Sequence, residues 1–458
     1  MAAALRPNDP GGYVPAVPVS ERVLVASGGD VRELQRALWV CAKQSPGRRF
    51  HALFDRVWRS DVLWEAWRRV RVNRGAAGVD RVTLAEVEAY GVERMLAELQ
   101  HALRTGSYRP APVRRRVIAK PGGGGRPLGI PTVRDRVCQQ AARLVLEPIF
   151  EADFLEVSYG FRPRRSATAA LERVRTGFIA GRVWVVDADI RDYFSSIDHE
   201  RLLGLVAERV SDRRMLKLLR KWLKAGVMDE GRFRETVTGT PQGGVISPLL
   251  SNIYLHAFDR ALGESGVGEL VRYADDFVVL CRTERQANAA LEKVGEILTG
   301  LGLELHPGKT RIVDLRDGRE GFDFLGCHFR ARVSGRLLER GVRRYYLHRW
   351  PSQRAMKRIR EKIKARTGRN RCGIGDIQVV IGELNPILRG WGNYFRTGNA
   401  ATKFIQVDRY AAWRLRRLLV KRKGHNLRPG EADRWTRQWF HEQGLHQLTG
   451  TIRYPQPA

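Results

Sequence analysis

The sequence predicts an α+β protein of several domains, with a ferredoxin-like βαββαβ sheet at its centre and a basic helical region after it. The chain has 458 residues, of which 43% are hydrophobic, so it can form about two to four packed units and is too long for a single core. Its middle third alternates short apolar runs with helical stripes in the order of a split βαβ sheet. Its last third places dense runs of Lys and Arg in segments with helical spacing.

The N-terminal part is predicted to be helical and to contain one hairpin. Residues 1–30 contain Pro and Gly and predict a flexible leader, whereas Val31–Val72 has helical spacing. Val113–Ile118 and Leu128–Ile130 are extended segments joined by a glycine-rich turn, which indicates a β-hairpin. Asp135–Phe150 returns to helical spacing.

The middle of the chain predicts the sheet itself. Strands are expected at Val183–Val186, Leu270–Ala274, Phe277–Cys281 and Thr310–Leu315. The helices between them carry the apolar stripes Leu202/Val206/Val210, Leu249/Ile253/Ala257/Ala261 and Ala287/Leu291/Val294/Leu298. Asp198 can cap the first helix, and Thr283 with Gln286 has capping-box spacing before the third. Many unrelated proteins use this sheet, so topology alone decides little about function.

The charge balance restricts the kind of partner. Lys and Arg number 81 and Asp and Glu 49, a net charge of +32, which predicts binding to a polyanion, with a membrane surface as the alternative. No apolar run is long enough to span a bilayer and no signal peptide is visible, which favours a cytoplasmic protein without membrane contact. The five cysteines form no CxxC pair, so reduced thiols are expected rather than a zinc module or disulfide framework.

Two groups of acids follow predicted strands of the sheet. Asp187 and Asp189 end the first strand on one face, and Asp275 with Asp276 forms the tip of the hairpin. Carboxylates at adjacent strand ends suit Mg²⁺, which prefers hard oxygen ligands, and phosphoryl transfer depends on such ions. Each group alone is also an ordinary set of turn residues. Their occurrence together in this sheet order predicts a metal-dependent phosphoryl transfer site.

Three motifs give the sequence a specific resemblance. Tyr273-Ala274-Asp275-Asp276 resembles the YxDD box of reverse transcriptases, Asp189-Ile190-Arg191-Asp192-Tyr193-Phe194 their first palm motif, and residues 239–250 (GTPQGGVISPLL) their PQG block. Residues 73–80 (NRGAAGVD), 126–131 (RPLGIP) and 158–163 (SYGFRP) look like the fingers of the enzymes encoded by group II introns, and residues 384–395 (LNPILRGWGNYF) like their maturase domain X. The resemblance covers roughly residues 52–401.

That resemblance implies a right-hand polymerase and its domain plan. The expected divisions are the leader 1–30, an N-terminal extension with the fingers at 31–182, the palm at 183–335, a helical thumb or maturase domain at 336–401, and a basic nucleic-acid-binding tail at 402–458. The implied activity is RNA-directed DNA synthesis by a two-metal mechanism, with two Mg²⁺ ions as cofactor. Many family members end in an HNH endonuclease domain; no cysteine follows Cys372, so no endonuclease is expected here.

The family pattern also assigns roles to single residues. Asp189, Asp275 and Asp276 would be catalytic and hold the metal, together with the backbone of Ile190. The deoxynucleotide would contact Lys120, Arg126, Phe194, Gln242 and Lys309, and the primer grip would be Phe324, Leu325 and Gly326. Phe194 and the aromatic residues around Phe324 also fit core positions, and Lys309 fits a solvated turn. A P-loop is excluded for Lys120, because no GK[ST] follows and no helix begins there.

The basic C-terminal segments complete the prediction. Residues 343–371 hold twelve Lys and Arg and one acid, and residues 404–423 hold seven against Asp408. The first segment is expected to be helical until Gly368. Cations with aromatic faces suit RNA, and the residues expected to bind RNA or DNA are Arg354, Lys357, Arg358, Arg389, Trp391, Tyr394, Arg414 and Arg417, with Trp413 and Trp435 as further stacking faces. A solvated helix face is the alternative.

The implied partners are the group II intron RNA in a ribonucleoprotein, the DNA target and primer, and deoxynucleoside triphosphates. Two alternatives remain open from the sequence. One is a domesticated or defence-associated reverse transcriptase without an intron, which the genomic neighbourhood of the gene would reveal. The other is a splicing cofactor without polymerase activity, which the presence of all three aspartates disfavours. The oligomeric state cannot be predicted.

Overall fold

The computed structural model describes residues 30–119, 125–229, 232–234, 243–371, 373 and 375–455. The chain divides into two compact units. The first comprises residues up to 166 together with 188–277 and 289–310, and the second comprises 167–187, 278–288 and 311–458. Within the described residues, none of the helices combines the length and apolar character needed to cross a membrane.

The helices and strands follow one another in chain order as follows. Up to the centre of the chain they are α1 (Val31–Gln44), α2 (Phe54–Val57), α3 (Ser60–Val72), α4 (Leu84–Tyr90), α5 (Val92–Arg104), β1 (Val113–Ala119), β2 (Gly125–Ile130), α6 (Val133–Glu151), α7 (Ala167–Ile179), β3 (Trp184–Asp189), α8 (Tyr193–Ser196), α9 (His199–Ala207), α10 (Arg213–Leu223), β4 (Val227–Asp229) and β5 (Arg232–Arg234). They continue with α11 (Ser247–Ser265), β6 (Glu269–Tyr273), β7 (Asp276–Cys281), α12 (Glu284–Gly300), β8 (Arg311–Asp314), β9 (Gly321–Phe324), β10 (Cys327–Val333), α13 (Gly335–Leu338), β11 (Tyr345–Pro351), α14 (Gln353–Arg366), α15 (Ile377–Phe395), α16 (Ala401–Lys423) and α17 (Arg437–Glu442).

The predicted ferredoxin-like sheet is confirmed. Its strand order is β6-β7-β3-β8, which is the order that a βαββαβ unit adopts when its first and third strands are central. Strand β3 pairs antiparallel with β8, from Trp184 opposite Asp314 to Asp187 opposite Arg311. Strands β3 and β7 each have residues in both units. Asp198 caps α9 by accepting from the Arg201 N–H, as its position before an apolar stripe predicts.

The predicted hairpin of the N-terminal part is also present. Strands β1 and β2 pair antiparallel, and β1 continues the sheet to β4 and β5. The helical region predicted from Val31 to Val72 is divided, however, because α1 ends at Gln44 and α2 begins at Phe54. Pro46 disfavours a helical conformation at Ser45, where α1 ends. Buried Asp212 receives the N–H groups of Leu53 and Phe54 at the start of α2 (2.9 and 2.8 Å) and also caps α10.

The basic segment 343–371 does not begin as a helix, and this expectation is wrong. Residues 345–351 form β11, which pairs antiparallel with β10. The buried residues of β11 alternate along the strand, and they include Leu347 and Arg349. Arg349 is buried because its guanidinium forms an ion pair with Glu172 of α7 at 2.5 Å. Only from Gln353 does the helical pattern apply, as α14.

The C-terminal residues pack against helices of the second unit. Asp408 of α16 is buried and accepts the N–H groups of Leu448 (3.0 Å) and Thr449 (2.9 Å). Asn385 of α15 donates to the carbonyl oxygen of Gly444 and accepts the N–H of His446. The segment 444–449 is therefore held against the two long helices α15 and α16.

A half-buried histidine on α11 makes stability depend on pH. Burial lowers the pKa of His256 to about 4, and its Nδ1 has no hydrogen-bond partner among the described residues. Below about pH 6.5 the unfolded chain gains a proton that the folded chain does not, so stability falls as the pH falls from 6.5 toward 4. At pH 5 we expect this group to cost roughly 2 kcal/mol. Urea unfolding at pH 7.5 and pH 5 should show a smaller pH difference in His256→Gln; an equal difference in both proteins would contradict the assignment.

Candidate active site

Asp189 lies at the last position of a buried strand. Trp184, Val185 and Val186 anchor β3 in the core, whereas the side chain of Asp189 is 37% exposed. The backbone beyond it is fixed by residues 304–306, since the Asp189 carbonyl oxygen accepts the His306 N–H at 2.7 Å and Ile190 forms a β-bridge with Leu305. A buried strand thus delivers one carboxylate to a defined edge of the sheet.

Asp275 and Asp276 lie at the turn between β6 and β7. Both side chains are partly exposed, and Ala274 before them has φ 58°, in the left-handed region. The helices between β3 and β6 form a crossover, so these strands run in the same direction and the hairpin returns β7 in the opposite one. Because β7 is the neighbour of β3, the start of β7 lies at the same sheet edge as Asp189.

Lys309 is the immediate partner of Asp189. Its Nζ lies 2.6 Å from Oδ2 of Asp189, and the lysine side chain is 61% exposed. The cation therefore neutralises the carboxylate from the open side of the sheet edge. The resemblance placed both residues in one site, and the structure brings them into direct contact.

The described residues contain no group of three carboxylate, histidine or cysteine side chains already gathered as a metal site. The donor set nevertheless suits Mg²⁺, because carboxylate oxygens at one sheet edge are the ligands that this ion prefers. The ammonium group of Lys309 supplies the positive charge beside Asp189 that a bound metal ion would otherwise supply. The chemistry of the residues fits a magnesium site.

A buried ion pair below the aspartate turn was not anticipated from the sequence. Arg272 is fully buried and pairs with Asp259 of α11 at 2.5 Å. The same guanidinium donates to the carbonyl oxygen of Ala274 (2.9 Å) and to the Ser158 hydroxyl (2.9 Å). Arg272 thus ties α11 and the segment before α7 to the turn that carries Asp275. A charged residue inside the apolar run of β6 is the sequence signal that could have identified it.

Glycine permits the closest approach to this turn. A Cβ atom on Gly160 would lie 2.3 Å from the backbone nitrogen of Ala274. The carbonyl oxygen of Gly160 accepts from the Asn252 side chain at 2.8 Å, and Asn252 also accepts from Arg272. The neighbouring Tyr159 N–H donates to the Arg272 carbonyl oxygen at 2.8 Å. Residues 158–160 therefore support the aspartate turn from directly beneath its backbone.

Phe194 and its neighbour form the first turn after β3. The ring of Phe194 is partly exposed and lies 5.2 Å, edge to face, from the ring of Tyr193. Tyr193 is buried and its hydroxyl donates to the Ser251 carbonyl oxygen at 2.9 Å. Burial raises the pKa of Tyr193 well above its ordinary value. Tyr193 is therefore the core aromatic of the pair, and Phe194 retains an accessible face.

Two of the expected nucleotide contacts, and the side chain of a third, lie outside the described residues. Lys120 and Gln242 lie outside the described residues, and only the backbone of Arg126 is described, in β2. Gly243, which follows Gln242, has φ 118°, and a Cβ there would lie 2.6 Å from the Gly129 carbonyl oxygen. Gly243 of the PQG block thus approaches the backbone of β2 closely, and a glycine is required there.

The predicted primer grip is a tight turn of the second unit. Leu325 and Gly326 both have positive φ, 48° and 75°, between β9 and β10. The Tyr394 hydroxyl donates to the Leu325 carbonyl oxygen at 2.8 Å, and the Ser352 N–H donates to that of Gly326 at 2.9 Å. Phe324 is buried. Tyr394, expected to contact RNA, thus holds this turn.

The residues expected to bind RNA differ in exposure. Arg354, Lys357 and Arg358 lie exposed on α14, as do Arg389 on α15 and Arg417 on α16. Trp391 is partly buried against Phe395 and Phe404, with ring centroids at 4.9 and 5.5 Å. The expectation for Trp435 is wrong, because only 4% of it is exposed and it cannot offer a stacking face. Trp413, the other expected stacking face, is 49% exposed.

Two family models match the chain. Residues 118–329 match "Reverse transcriptase (RNA-dependent DNA polymerase)" and residues 356–439 match "Group II intron, maturase-specific domain". Strand β3, the aspartate turn and Lys309 fall in the first match, and helices α15 and α16 fall in the second. The first match covers most of the predicted palm, and the second begins within the predicted maturase domain and continues into the predicted basic tail.

Curated relatives agree with the family models. The chain is 38% identical over 340 residues to the protein YkfC of Escherichia coli K12, covering 65% of this chain and 87% of that protein. It is 40% identical over 212 residues to the group II intron-encoded protein LtrA of Lactococcus lactis, covering 46% of this chain and 35% of LtrA. A 91 kDa protein in the cob intron of Schizosaccharomyces pombe is 28% identical over 406 residues, 49% of its length. The chain thus spans about a third to a half of the last two relatives.

Proposed function

The chain belongs to the family of group II intron reverse transcriptases and maturases, as a reverse transcriptase joined to a maturase domain, and on that premise we propose that it copies its intron RNA into DNA during insertion and binds that RNA to assist splicing. The observation that carries the polymerase proposal is the delivery of Asp189, Asp275 and Asp276 to one edge of the ferredoxin-like sheet. Its partners would be intron RNA, a DNA target and primer, and deoxynucleoside triphosphates.

Asp189 and Asp275 would hold two Mg²⁺ ions, with the Ile190 carbonyl oxygen as a further ligand and Asp276 in support. When bound, such ions activate the primer 3′-hydroxyl and neutralise the triphosphate and the leaving pyrophosphate. The chain contributes the rigid placement of the ligands: a buried strand on one side, and on the other a turn held from beneath by Arg272. Placement of this kind is the main contribution that a protein makes to phosphoryl transfer.

Lys309 would act both before and during the chemical step. Its ammonium group lies 2.6 Å from Asp189, so it limits the repulsion among the carboxylates before the triphosphate arrives. With a triphosphate bound, the same flexible side chain would turn to it and donate a proton to the leaving pyrophosphate. Phe194, with its accessible face, would lie beneath the sugar and exclude a 2′-hydroxyl. Lys120, Arg126 and Gln242 would contact the triphosphate and the nascent base pair.

The domain plan remains part of the proposal. Residues 31–182 would be the N-terminal extension and fingers, 183–335 the palm, 336–401 the thumb or maturase domain, and 402–458 a basic nucleic-acid-binding segment. The turn at Phe324–Gly326 would grip the primer. The exposed cations Arg354, Lys357, Arg358 and Arg389 would contact phosphates.

The experiment that tests the polymerase proposal is extension of a DNA primer on an RNA template with deoxynucleoside triphosphates and Mg²⁺. Wild-type protein should extend the primer, and Asp275→Ala should not, while both bind the primer–template with similar affinity. The absence of extension by folded, RNA-binding wild-type protein would refute the polymerase and leave a splicing cofactor. A rate in Asp275→Ala close to that of wild type would refute the assigned site.

A further inference from the structure

The second unit contains a recess that the proposed polymerase chemistry does not use. It lies where helices α14 and α16 meet the turn after α14, and its volume is about 910 Å³. Pockets of roughly 300–1,000 Å³ are the usual size for sites that enclose a small ligand. The walls come from the last turns of α14, from Thr367, Gly368 and Asn370 after that helix, and from one side of α16 between Tyr410 and Lys421.

The recess is strongly positive. Its lining includes four cations, Lys364, Arg414, Arg417 and Lys421, against one acid, Glu361. Within the part of the chain that the structure describes, no ion pair within 4.0 Å is formed by Lys364, Arg417 or Lys421. Arg414 donates only to the neutral oxygens of Thr367, from Nε to Oγ1 at 3.0 Å and from Nη2 to the carbonyl at 2.8 Å. Its charge is thus fixed in place and is not neutralised by an acid.

Aromatic faces stand beside these cations. Trp413 is 49% exposed, and its ring centroid lies 5.8 Å from that of Tyr410 with 33° between the planes. The guanidinium carbons of Arg414 and Arg417 lie 5.8 and 5.4 Å from the Trp413 ring centroid. A single exposed aromatic ring is ordinary, but apolar surface in a groove rimmed by polar groups marks a binding site. Aromatic rings and arginine planes together are the groups that hold unstacked bases.

We propose that this recess binds one unstacked nucleotide of single-stranded RNA, with its base against Trp413 and its phosphate on Arg417 and Lys421. The proposal deepens the RNA-binding role proposed above and rests on it. A duplex would leave the Trp413 ring without a base to stack on, because its bases are stacked on each other and present only their edges and the backbone. A phosphate alone would not account for the exposed indole. A single-stranded or bulged nucleotide uses both the cations and the aromatic face.

The aromatic part is tested with a short single-stranded RNA of mixed sequence and a duplex RNA of the same length. Trp413→Ala should weaken single-strand binding roughly tenfold and leave duplex binding unchanged, and Trp413→Phe should restore most of the loss. Trp39→Ala is the matched control, because Trp39 is exposed to a similar degree, 42%, in the first unit. Equal losses for duplex and single strand, or no loss, would overturn the proposal.

The ionic part is tested by salt dependence with the same single-stranded RNA. Arg417→Gln should lower the slope of log affinity against log salt by about one phosphate contact. Arg416→Gln is the control, because this neighbour on α16 is already paired with Asp433 at 2.8 Å, and its slope should match wild type. Equal slopes for Arg417→Gln and wild type would overturn the phosphate contact.

Primer extension on a pre-annealed template separates this proposal from the polymerase proposal. Wild-type protein that extends the primer but shows no difference between Trp413→Ala and Trp39→Ala in single-strand binding would retain the enzyme and overturn the recess. The opposite pattern, in which Trp413→Ala specifically loses single-strand binding in a protein that extends no primer, would support the recess and refute the polymerase. The two proposals therefore fail on different measurements.

Discussion

Asp189→Asn is expected to reduce the rate of primer extension by about 10³-fold or more, whereas Asp187→Asn should leave it within about fivefold of wild type. The two aspartates lie two residues apart on β3, so alternation places them on the same face of the strand. They differ in partner. Asp189 contacts Lys309 at 2.6 Å at the end of the strand, whereas Asp187 pairs with Arg311 of β8 at 3.4 Å.

The rate is expected to fall in Asp189→Asn because the substitution removes the negative charge of one metal-binding carboxylate. An amide cannot supply the negative charge that holds Mg²⁺ against the triphosphate, and several kcal/mol of transition-state stabilisation depend on that charge. The Asp187 pair with Arg311 is a partly exposed ion pair, and such pairs contribute at most about 1 kcal/mol. Both substitutions keep side-chain volume almost constant, so neither should disturb the packing of the strand.

The measurement is single-turnover extension of a DNA primer on an RNA template, with thermal unfolding of both variants as the control for folding. Restoring the rate of Asp189→Asn by raising Mg²⁺ would show that the residue tunes metal affinity and is replaceable as a ligand. Equal losses of rate in both variants would contradict the assignment of metal binding to Asp189 alone and would extend the site to Asp187.

The sheet and the positions of its acidic residues could be predicted from the sequence, because both depend on short-range patterns. A buried strand that ends in aspartate and a hairpin whose tip is Asp275-Asp276 are visible in a few residues, and the sheet order β6-β7-β3-β8 followed from the order of the elements. The predicted cap at Asp198 required only four residues of local sequence. Local signals of this kind can be recognised without the tertiary structure, because the groups that form a helix cap or a tight turn lie within a few residues of one another.

Buried arginines explain most of what the sequence did not reveal. Arg349 faces inward on β11 and Arg272 is fully buried in β6, each paired with an acid that is distant in sequence, Glu172 and Asp259. Polar residues at inward positions break the alternation by which a strand is recognised, so the spacing of residues 343–351 predicts a helix instead of a strand. A buried charge is stable only when its partner is in place, and the identity of that partner is a property of the tertiary structure.

Gly160→Ala tests whether residues 158–160 position the turn that carries Asp275. We expect it to reduce the rate of primer extension about 100-fold without preventing folding. A Cβ atom would lie 2.3 Å from the backbone nitrogen of Ala274, and contacts below 3.0 Å require one of the two segments to move. The shift needed is on the order of 1 Å, and a displacement of that size at reacting groups costs about 100-fold in rate. Asp275 is the next residue after Ala274, so it moves with the turn.

Gly204→Ala is the matched control, because Gly204 lies in α9 of the same unit and its added Cβ would meet no atom within 4 Å. That variant should extend primers at the wild-type rate and be slightly more stable, since alanine favours a helix by about 1 kcal/mol over glycine. For Gly160→Ala the maximal rate should fall while the affinity for primer–template is unchanged, and a higher Mg²⁺ concentration should be needed for half-maximal rate. A general loss of structure would instead lower RNA affinity as well. If Gly160→Ala extends primers as fast as Gly204→Ala, the turn is not positioned by residues 158–160, and the network of Arg272 supports folding alone.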